Sequence, residues 1–129
     1  MHLTLRGHVN DAEHRDIELD AATRLYFVEV PEPDMEVPKG DLQHLLEALE
    51  AEWDLTGLIC DTLLLRSIQP ALKKSGRSLT VAVHKNTSIV ALWPGVHLNA
   101  YGVAVDVGST TVAVHLCDPQ VGKYWLVLA

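Results

Sequence analysis

The sequence predicts an α+β protein, in which a small βααββ-like module with helices packed on a β-hairpin is followed by a β-meander. Three observations predict it. An apolar stripe of helical period lies in residues 41–53, two β-rich runs flank a polar turn at 85–87, and further β-rich segments fill residues 102–128. The chain has 129 residues, 48% of them hydrophobic and 21% charged, which is enough to form a hydrophobic core.

Residues 1–39 are predicted to be a linker segment with one strand. Short alternating stretches in residues 2–20 fit either a strand or an ordered linker. Residues 25–30 are aromatic and β-branched and form the strand. The next ten residues contain Pro31, Pro33 and Pro38, which remove backbone donors and hold the chain extended, so this stretch is a connector. Met35, Pro33 and Leu42 either form a docking patch or, as we expect, line the path into the first helix.

Residues 40–97 are predicted to be an α/β middle domain. Asp41 can cap a helix whose apolar stripe is Leu42, Leu45, Leu46, Leu49 and Trp53. Asp61 can cap a second short helix. Because proline suits the first turn of a helix, Pro70 is expected to begin a third helix, which Gly76 ends. Residues 79–84 and 88–93 then form the β-hairpin.

The remaining residues, 98–129, are predicted to be the first strands of a further domain. Residues 102–107 and 111–118 form two β-rich arms around a turn of small polar residues. Residues 119–122 form another turn, and residues 123–129 form a third strand. Three consecutive strands make a meander, and their unpaired edges could pair between two copies of the chain, which would give a homodimer.

Composition and charge exclude several classes of function. The net charge is −7, and it is divided unevenly, with −10 in residues 1–59 and +3 in residues 60–129. An acidic first half repels phosphate backbones, and we find no nucleic-acid-binding module. No apolar run is long enough to span a bilayer, and no signal segment is visible, so we expect a cytoplasmic protein without a membrane partner. Cys60 and Cys117 are too few and too far apart for a disulfide framework or a cysteine-held cluster.

The pattern that best indicates chemistry is Asp106-Val107-Gly108-Ser109-Thr110-Thr111. Small residues at a turn let backbone N–H groups approach a phosphate, and hydroxyl groups add further donors. A carboxylate at the end of the preceding strand can hold Mg²⁺ through retained water. The alternative is an ordinary hairpin turn, since Asp, Gly and Ser are also common turn residues.

Other candidate residues are better explained by structural roles than by catalysis or ligand binding. The histidines are scattered, and for His84 and His115 a solvent-facing or hydrogen-bonded side chain is favoured over a metal ligand. Cys60 and Cys117 are expected to be small buried groups, and Trp53 and Trp93 to pack in a core. The acidic helix face formed by Glu47, Glu50 and Glu52, with His44 on the same polar side, is expected to be solvated. Recognition of a basic partner by these glutamates is the alternative.

Tyr101-Gly102-Val103-Ala104-Val105-Asp106-Val107-Gly108-Ser109-Thr110-Thr111-Val112-Ala113 resembles the first phosphate loop of the actin, hexokinase and heat-shock-chaperone ATPases (ASKHA). More specifically, it is similar to that loop in the reductive activators of corrinoid proteins. Residues 26–33 and 40–42 resemble the linker that leads into the middle domain of these activators. Residues 64–72 and 79–83 resemble the helices and hairpin of that middle domain.

The resemblance implies a piece of a larger protein with a [2Fe–2S] ferredoxin domain, a linker, a middle domain and an ATPase domain. Such activators use ATP to deliver an electron that returns Co(II) to Co(I) on a corrinoid protein partner. Carried over to this sequence, Gly108, Ser109, Thr110 and Thr111 cradle phosphate, and Asp106 positions Mg²⁺ through water in the complete domain. The [2Fe–2S] cluster and Mg-ATP belong to the parent protein, and no cofactor is expected in this chain.

The function expected from these observations is a non-catalytic linker and middle fragment that connects the electron-donor and ATPase domains of such an activator. Phosphoryl transfer needs both phosphate clamps and a metal together, which one hairpin cannot supply. Two alternatives stay open: a free-standing interaction module with an acidic helix, and a partial nucleotide site completed by dimerisation.

Overall fold

The computed structural model describes residues 7–8, 20–118, 120 and 123–128. The chain folds into two compact units, one formed by Ala22–Leu98 and the other by Met1–Ala21 with Asn99–Ala129. The elements, in chain order, are β1 (Gly7–His8), β2 (Thr23–Glu29), α1 (Asp41–Trp53), β3 (Ile59–Cys60), α2 (Thr62–Ser75), β4 (Ser78–His84), β5 (Ser88–Pro94), β6 (Gly102–Val107), β7 (Val112–Asp118) and β8 (Lys123–Leu128).

The Ala22–Leu98 unit contains a four-stranded sheet in the order β2-β4-β5-β3, with two helices. The predicted strand and hairpin are confirmed: β2 pairs antiparallel with β4 from Thr23–His84 to Glu29–Ser78, and β4 pairs antiparallel with β5. The parallel strand β3, beside β5, was not predicted, because two residues carry no periodic signal. The α+β class is therefore confirmed, with mixed strand directions in this sheet.

The core of this unit lies between the two helices and one face of the sheet. Val28, Leu79 and Val81 contribute from the strands, and alternate positions on β2 and β4 share that face. Four large helical side chains, each at most 2% exposed, complete it: Leu45, Leu49, Ile68 and Leu72. Burying side chains of this size contributes about 1.5–3 kcal/mol each, so the unit has its own source of stability.

Helix α1 has its N-cap one residue earlier than predicted, at Gly40 instead of Asp41. Gly40 occupies the N-cap position with extended backbone, and no side chain caps the helix. Asp41 is therefore the first helical residue rather than the cap, and its carboxylate lies in the first turn, where the helix dipole favours negative charge. Asp54, the residue after the helix, forms its C-cap in the left-handed conformation with φ 57°.

Helix α2 is one continuous helix, so the prediction of two short helices divided at Pro70 was wrong. Asp61 caps it as predicted, since its carboxylate accepts from the Leu63 N–H at 2.8 Å, and Gly76 ends it with φ 62°. Pro70 lies at an exposed position inside the helix. Packing of Ile68, Ala71 and Leu72 in the core keeps both sides of the proline helical despite the missing N–H.

The second unit contains a four-stranded sheet in the order β1-β8-β7-β6. The predicted meander is confirmed, because β6 pairs antiparallel with β7 from Gly102–Cys117 to Val107–Val112, and β7 pairs antiparallel with β8. The expectations for residues 2–20 fall mostly outside the described residues, as does most of the predicted turn at 119–122. The division of the chain at residues 39 and 97 stays a prediction.

Within the described part of the chain, neither α1 nor α2 has the length and apolar character needed to cross a bilayer.

Candidate functional site

The predicted phosphate-binding residues lie together at the hairpin turn between β6 and β7. Val107 and Val112 form the last pair of the ladder, and Asp106 lies opposite Ala113 one residue earlier. The Gly108 N–H donates to the Thr111 carbonyl at 2.8 Å and closes the turn. Ser109 and Thr110 therefore lie at the tip of the hairpin.

Glycine at position 108 is explained by a close approach within the turn. A Cβ atom at this position would lie 3.0 Å from the Thr111 carbonyl oxygen, the same oxygen that accepts from the Gly108 N–H. The backbone of Gly108 is not among the left-handed positions of the chain, so conformational freedom is not the reason for this glycine. A larger residue would push the two arms of the turn apart.

All residues from Asp106 to Thr111 are exposed, so the turn is open to solvent and not packed as an inward corner. Ser109, Thr110 and Thr111 carry hydroxyl groups that can donate to phosphate oxygens. The Gly108 N–H already has a partner inside the turn. The turn therefore exposes three hydroxyl groups and the Asp106 carboxylate to solvent, and their contacts with phosphate and Mg²⁺ stay a prediction.

The cysteines do not fit an iron–sulfur cluster. A [2Fe–2S] cluster needs four ligands, usually thiolates, and the chain has two cysteines, which lie in different units. Among the described residues, no three His, Cys, Asp or Glu side chains are grouped as a metal site. Both thiols are partly buried, and Cys60 packs against the core, so the expectation of small buried groups is met in part. Burial, and secondarily the Asp61 charge, raises the pKa of Cys60.

The histidines of the Ala22–Leu98 unit lie in different surroundings. His84 forms a hydrogen bond through Nδ1 with the Thr23 hydroxyl at 2.9 Å, as expected for a structural histidine. His97 lies near Trp93, with ring centroids 5.8 Å apart. His44 is 7% exposed, and its Nε2 has no hydrogen-bond partner in the described structure. The expectation that His44 lies on the solvated side of α1 was therefore wrong.

Trp53 does not pack in the core as expected. It is 46% exposed, its Nε1–H donates to the Phe27 carbonyl at 2.7 Å, and its ring contacts Tyr26 edge-on at 5.3 Å. The indole N–H needs a polar partner, and Trp53 is the last residue of α1, which places it at the edge of the core. Trp53 therefore attaches α1 to β2.

The acidic face of α1 is solvent-exposed, as expected. Lys39 donates to both carboxylate oxygens of Glu47 at 2.9 Å, and this contact lowers the pKa of Glu47. Glu52 accepts from the Glu29 N–H at 3.4 Å. Two of these glutamates therefore make contacts within the unit, and Glu50 is exposed on the same helix.

Arg77 is a residue that the sequence analysis missed. Its Nε donates to the Val30 carbonyl at 3.1 Å and to the Pro31 carbonyl at 2.9 Å. The guanidinium group also lies 3.8 Å from the carboxylates of Glu32 and Asp41. A basic residue directly after the C-cap Gly76 is common in turns and indicates no special role. Nothing in the sequence relates Arg77 to residues 30–41.

A search of solved structures matches the chain to a protein described as "Reductive activator for corrinoid, iron-sulfur protein". The TM-score is 0.66 and the sequence identity is 27%, over 85% of this chain and 18% of that protein. The chain thus spans less than a fifth of the length of the activator. No curated protein matches the chain.

A scan against protein-family models matches the family described as "RACo linker region" at residues 12–99. The match covers more than half of the chain and includes the complete Ala22–Leu98 unit with both helices and the sheet β2-β4-β5-β3. The resemblance inferred from the sequence is confirmed for this region: the chain belongs to the RACo linker family.

Proposed function

We propose that this chain is the non-catalytic linker region of an ATP-dependent reductive activator, connecting an electron-donating [2Fe–2S] domain to an ATPase domain. The observation that carries the proposal is that the linker-family match includes an independently packed unit, Ala22–Leu98. A unit with its own core can hold the domains on either side of it at a fixed separation, which a flexible chain cannot do.

The chemistry of such an activator is a one-electron reduction. In the parent, an iron–sulfur cluster would supply the electron that reduces Co(II) to Co(I) on the corrinoid protein. The residues of the Ala22–Leu98 unit have a structural role in this proposal. Trp53 attaches α1 to the sheet, and Arg77 attaches the start of the connector. We place the protein in the cytoplasm, where two free thiols stay reduced.

We further propose that the second sheet begins the ASKHA-type ATPase domain of the parent. Support comes from the antiparallel meander β6-β7-β8 and from the open turn with its hydroxyl groups and the Asp106 carboxylate. In the complete domain, Gly108, Ser109, Thr110 and Thr111 would contact phosphate, and Asp106 would hold Mg²⁺ through water.

The experiment that tests the linker role replaces residues 22–98 of the complete activator with a Gly/Ser chain of the same length. ATP hydrolysis should persist, and the rate of Co(I) formation, followed by the absorbance of the corrinoid, should fall at least tenfold. The exposed substitution Lys74→Ala in the same unit is the control and should leave both rates unchanged. Undiminished Co(I) formation by the Gly/Ser variant would refute the linker role.

A second candidate function is a nucleotide site completed by dimerisation. It is favoured by strand β6, which lies at the edge of its sheet with Val103, Val105 and Val107 exposed. In that case the isolated chain should hydrolyse ATP, and Asp106→Ala should abolish the activity. An isolated chain without turnover rules this candidate out.

A further inference from the structure

Helix α1 buries its apolar stripe and leaves a polar face in water. Leu45 and Leu49 are fully buried, and Leu42 packs against the core as expected. Met35, in the connector that leads into the helix, is 93% exposed, so the expectation that it lines this path was wrong. The exposed residues on the side of α1 opposite the core are polar: Gln43, Glu47 and Glu50.

The charge on α1 is negative along its whole length. The helix contains no lysine or arginine, and its acidic residues are Asp41, Glu47, Glu50 and Glu52. Lys39 pairs with Glu47, whereas Glu50 forms no ion pair with any residue that the structure describes. The acidic face of α1 therefore keeps charge that no neighbouring side chain neutralises.

Helix α2 carries the opposite charge. It contains no aspartate or glutamate, and its basic residues are Arg66, Lys73 and Lys74, which form the basic face of α2. All three are exposed, and Arg66 and Lys73 share the side of the helix opposite the buried Ile68 and Leu72. Within residues 20–118, none of the three pairs with a carboxylate.

The two charged faces lie side by side on one layer of the unit. Both helices cover the same face of the sheet β2-β4-β5-β3 and contact each other, so the outward sides of α1 and α2 form one surface. Leu63, about one turn before Arg66 on α2, adds an apolar side chain that is 76% exposed. A partner that complements this surface has a negative and a positive band in the opposite order.

A second copy of this chain has that arrangement. A two-fold rotation about an axis that runs along the layer, between the helices, places α1 of each copy over α2 of the other. Such an interface is self-complementary, because the same patch is used on both copies. We propose that the helix layer of the Ala22–Leu98 unit is an interface between two copies of this chain, in which the acidic face of α1 contacts the basic face of α2 of the second copy.

The association is weak and depends on ionic strength, because exposed ion pairs contribute little individually and are screened by salt. It uses a surface different from the β6 edge of the second sheet. The inference does not rest on the linker role of the unit, since both charged faces belong to this chain.

The test follows self-association of the isolated chain by sedimentation velocity at low ionic strength, where screening is weakest. Every chain carries Val105→Lys, which opposes pairing of the β6 edge and leaves the helix layer as the surface under test. This reference chain should associate reversibly, and added salt should weaken the association. Glu50→Lys and Lys73→Glu should each weaken it about tenfold, because a reversed charge acts twice in a two-fold interface.

A mixture of these two variants is the sharpest measurement. In a mixed pair the two reversed charges lie on faces that contact each other, and the other half of the interface keeps its original charges. The equimolar mixture should therefore regain the association of the reference chain. The mixed pair has the same net charge as a pair of reference chains, so the overall repulsion between copies is unchanged.

Lys85→Glu is the matched control for Lys73→Glu, because Lys85 is exposed in the turn between β4 and β5 and undergoes the same change in charge. It should associate nearly as the reference chain does. Equal weakening by Lys85→Glu and Lys73→Glu would overturn the inference, because net charge alone would then explain the effect.

Three further results would also overturn it. The first is a reference chain that stays monomeric at low ionic strength. The second is association of Glu50→Lys that equals or exceeds that of the reference, since this variant is less negative and its copies repel each other less. The third is a mixture that does not regain association. Regained association would show that both variants are folded, and none of these results bears on the linker role.

Discussion

The Nε of Arg77 donates to the carbonyl of Pro31 at 2.9 Å, a contact between residues 46 positions apart in the chain. The same nitrogen donates to the Val30 carbonyl, and the Arg77 carbonyl accepts from the Val30 N–H at 2.9 Å. Arg77 thus joins the turn after α2 to the end of β2. This arrangement fixes the direction in which the chain leaves the sheet.

Replacing Arg77 with Ala should lower the free energy of unfolding of the chain by about 2–3 kcal/mol, because charge-assisted hydrogen bonds to two carbonyl groups are lost. Arg77 has φ 69°, and Ala has the same backbone strain there, so the comparison isolates the side chain. Urea unfolding measures the change. Lys73→Ala, at an exposed position of α2, is the control. Stability equal to that of the parent would show that the Arg77 contacts contribute nothing.

Replacing Pro70 with Ala should raise the free energy of unfolding by about 1–2 kcal/mol. The substitution restores an N–H that can donate to the Arg66 carbonyl and removes the ring from the helix interior, and both gains exceed the added entropy of the unfolded chain. Pro70 is exposed, so no core contact is lost. Thermal unfolding followed by circular dichroism measures the change. A lower midpoint than that of the parent would contradict this explanation of α2.

The Cys60 thiol should react slowly with iodoacetamide at pH 8, because burial raises its pKa and the thiolate is the reacting form. In a Cys117→Ser background, alkylation of the folded chain should be slower than that of the urea-unfolded chain. Asp61→Asn keeps the helix cap and removes the neighbouring charge that also raises the pKa, so it should increase the rate. Equal rates for the folded and unfolded chains would contradict the shift.

The same shift makes stability depend on pH. A thiol whose pKa is raised by folding stabilises the native state below its unfolded pKa, which is about 8.5 for cysteine. This contribution is lost as the pH rises through the folded pKa. Between the unfolded pKa and the raised folded pKa of Cys60, the free energy of unfolding should therefore fall less with rising pH for Cys60→Ser than for the unsubstituted chain.

The edge of the second sheet should cause association between copies of the isolated chain. Strand β6 is at the edge, and Val105 on it is 58% exposed. Val105→Lys should shift the population toward monomer in light scattering, because a charged edge strand resists pairing. Val37→Lys, with a similarly exposed valine on the connector, should not. A parent chain that is monomeric at high concentration would contradict the expectation.

The sequence predicted the elements that have strong periodic or turn signals. The stripe Leu42, Leu45 and Leu49 and the hairpin around Asn86 are local patterns, and each appears in the structure where it was expected. The turn at Gly108 was likewise placed correctly at the end of β6, although its phosphate-binding role stays a proposal.

Features that depend on distant contacts were not predictable in this way. Pro70 stays inside α2 because of core packing on both sides of it, which overrides the local preference. Arg77 and the carbonyl of Pro31 meet only after β2 and β4 have paired. The exposure of Met35 likewise depends on where the connector lies relative to the core, which no local pattern specifies.

We propose, as the central claim, that the exposed turn of residues 106–111 contacts phosphate only together with other parts of the parent ATPase domain, and that this chain acts as a scaffold. Titration calorimetry of the isolated chain with Mg-ATP tests it most directly. The claim predicts no saturable heat for the chain and none for the Asp106→Ala control. Saturable micromolar binding that Asp106→Ala removes would contradict it.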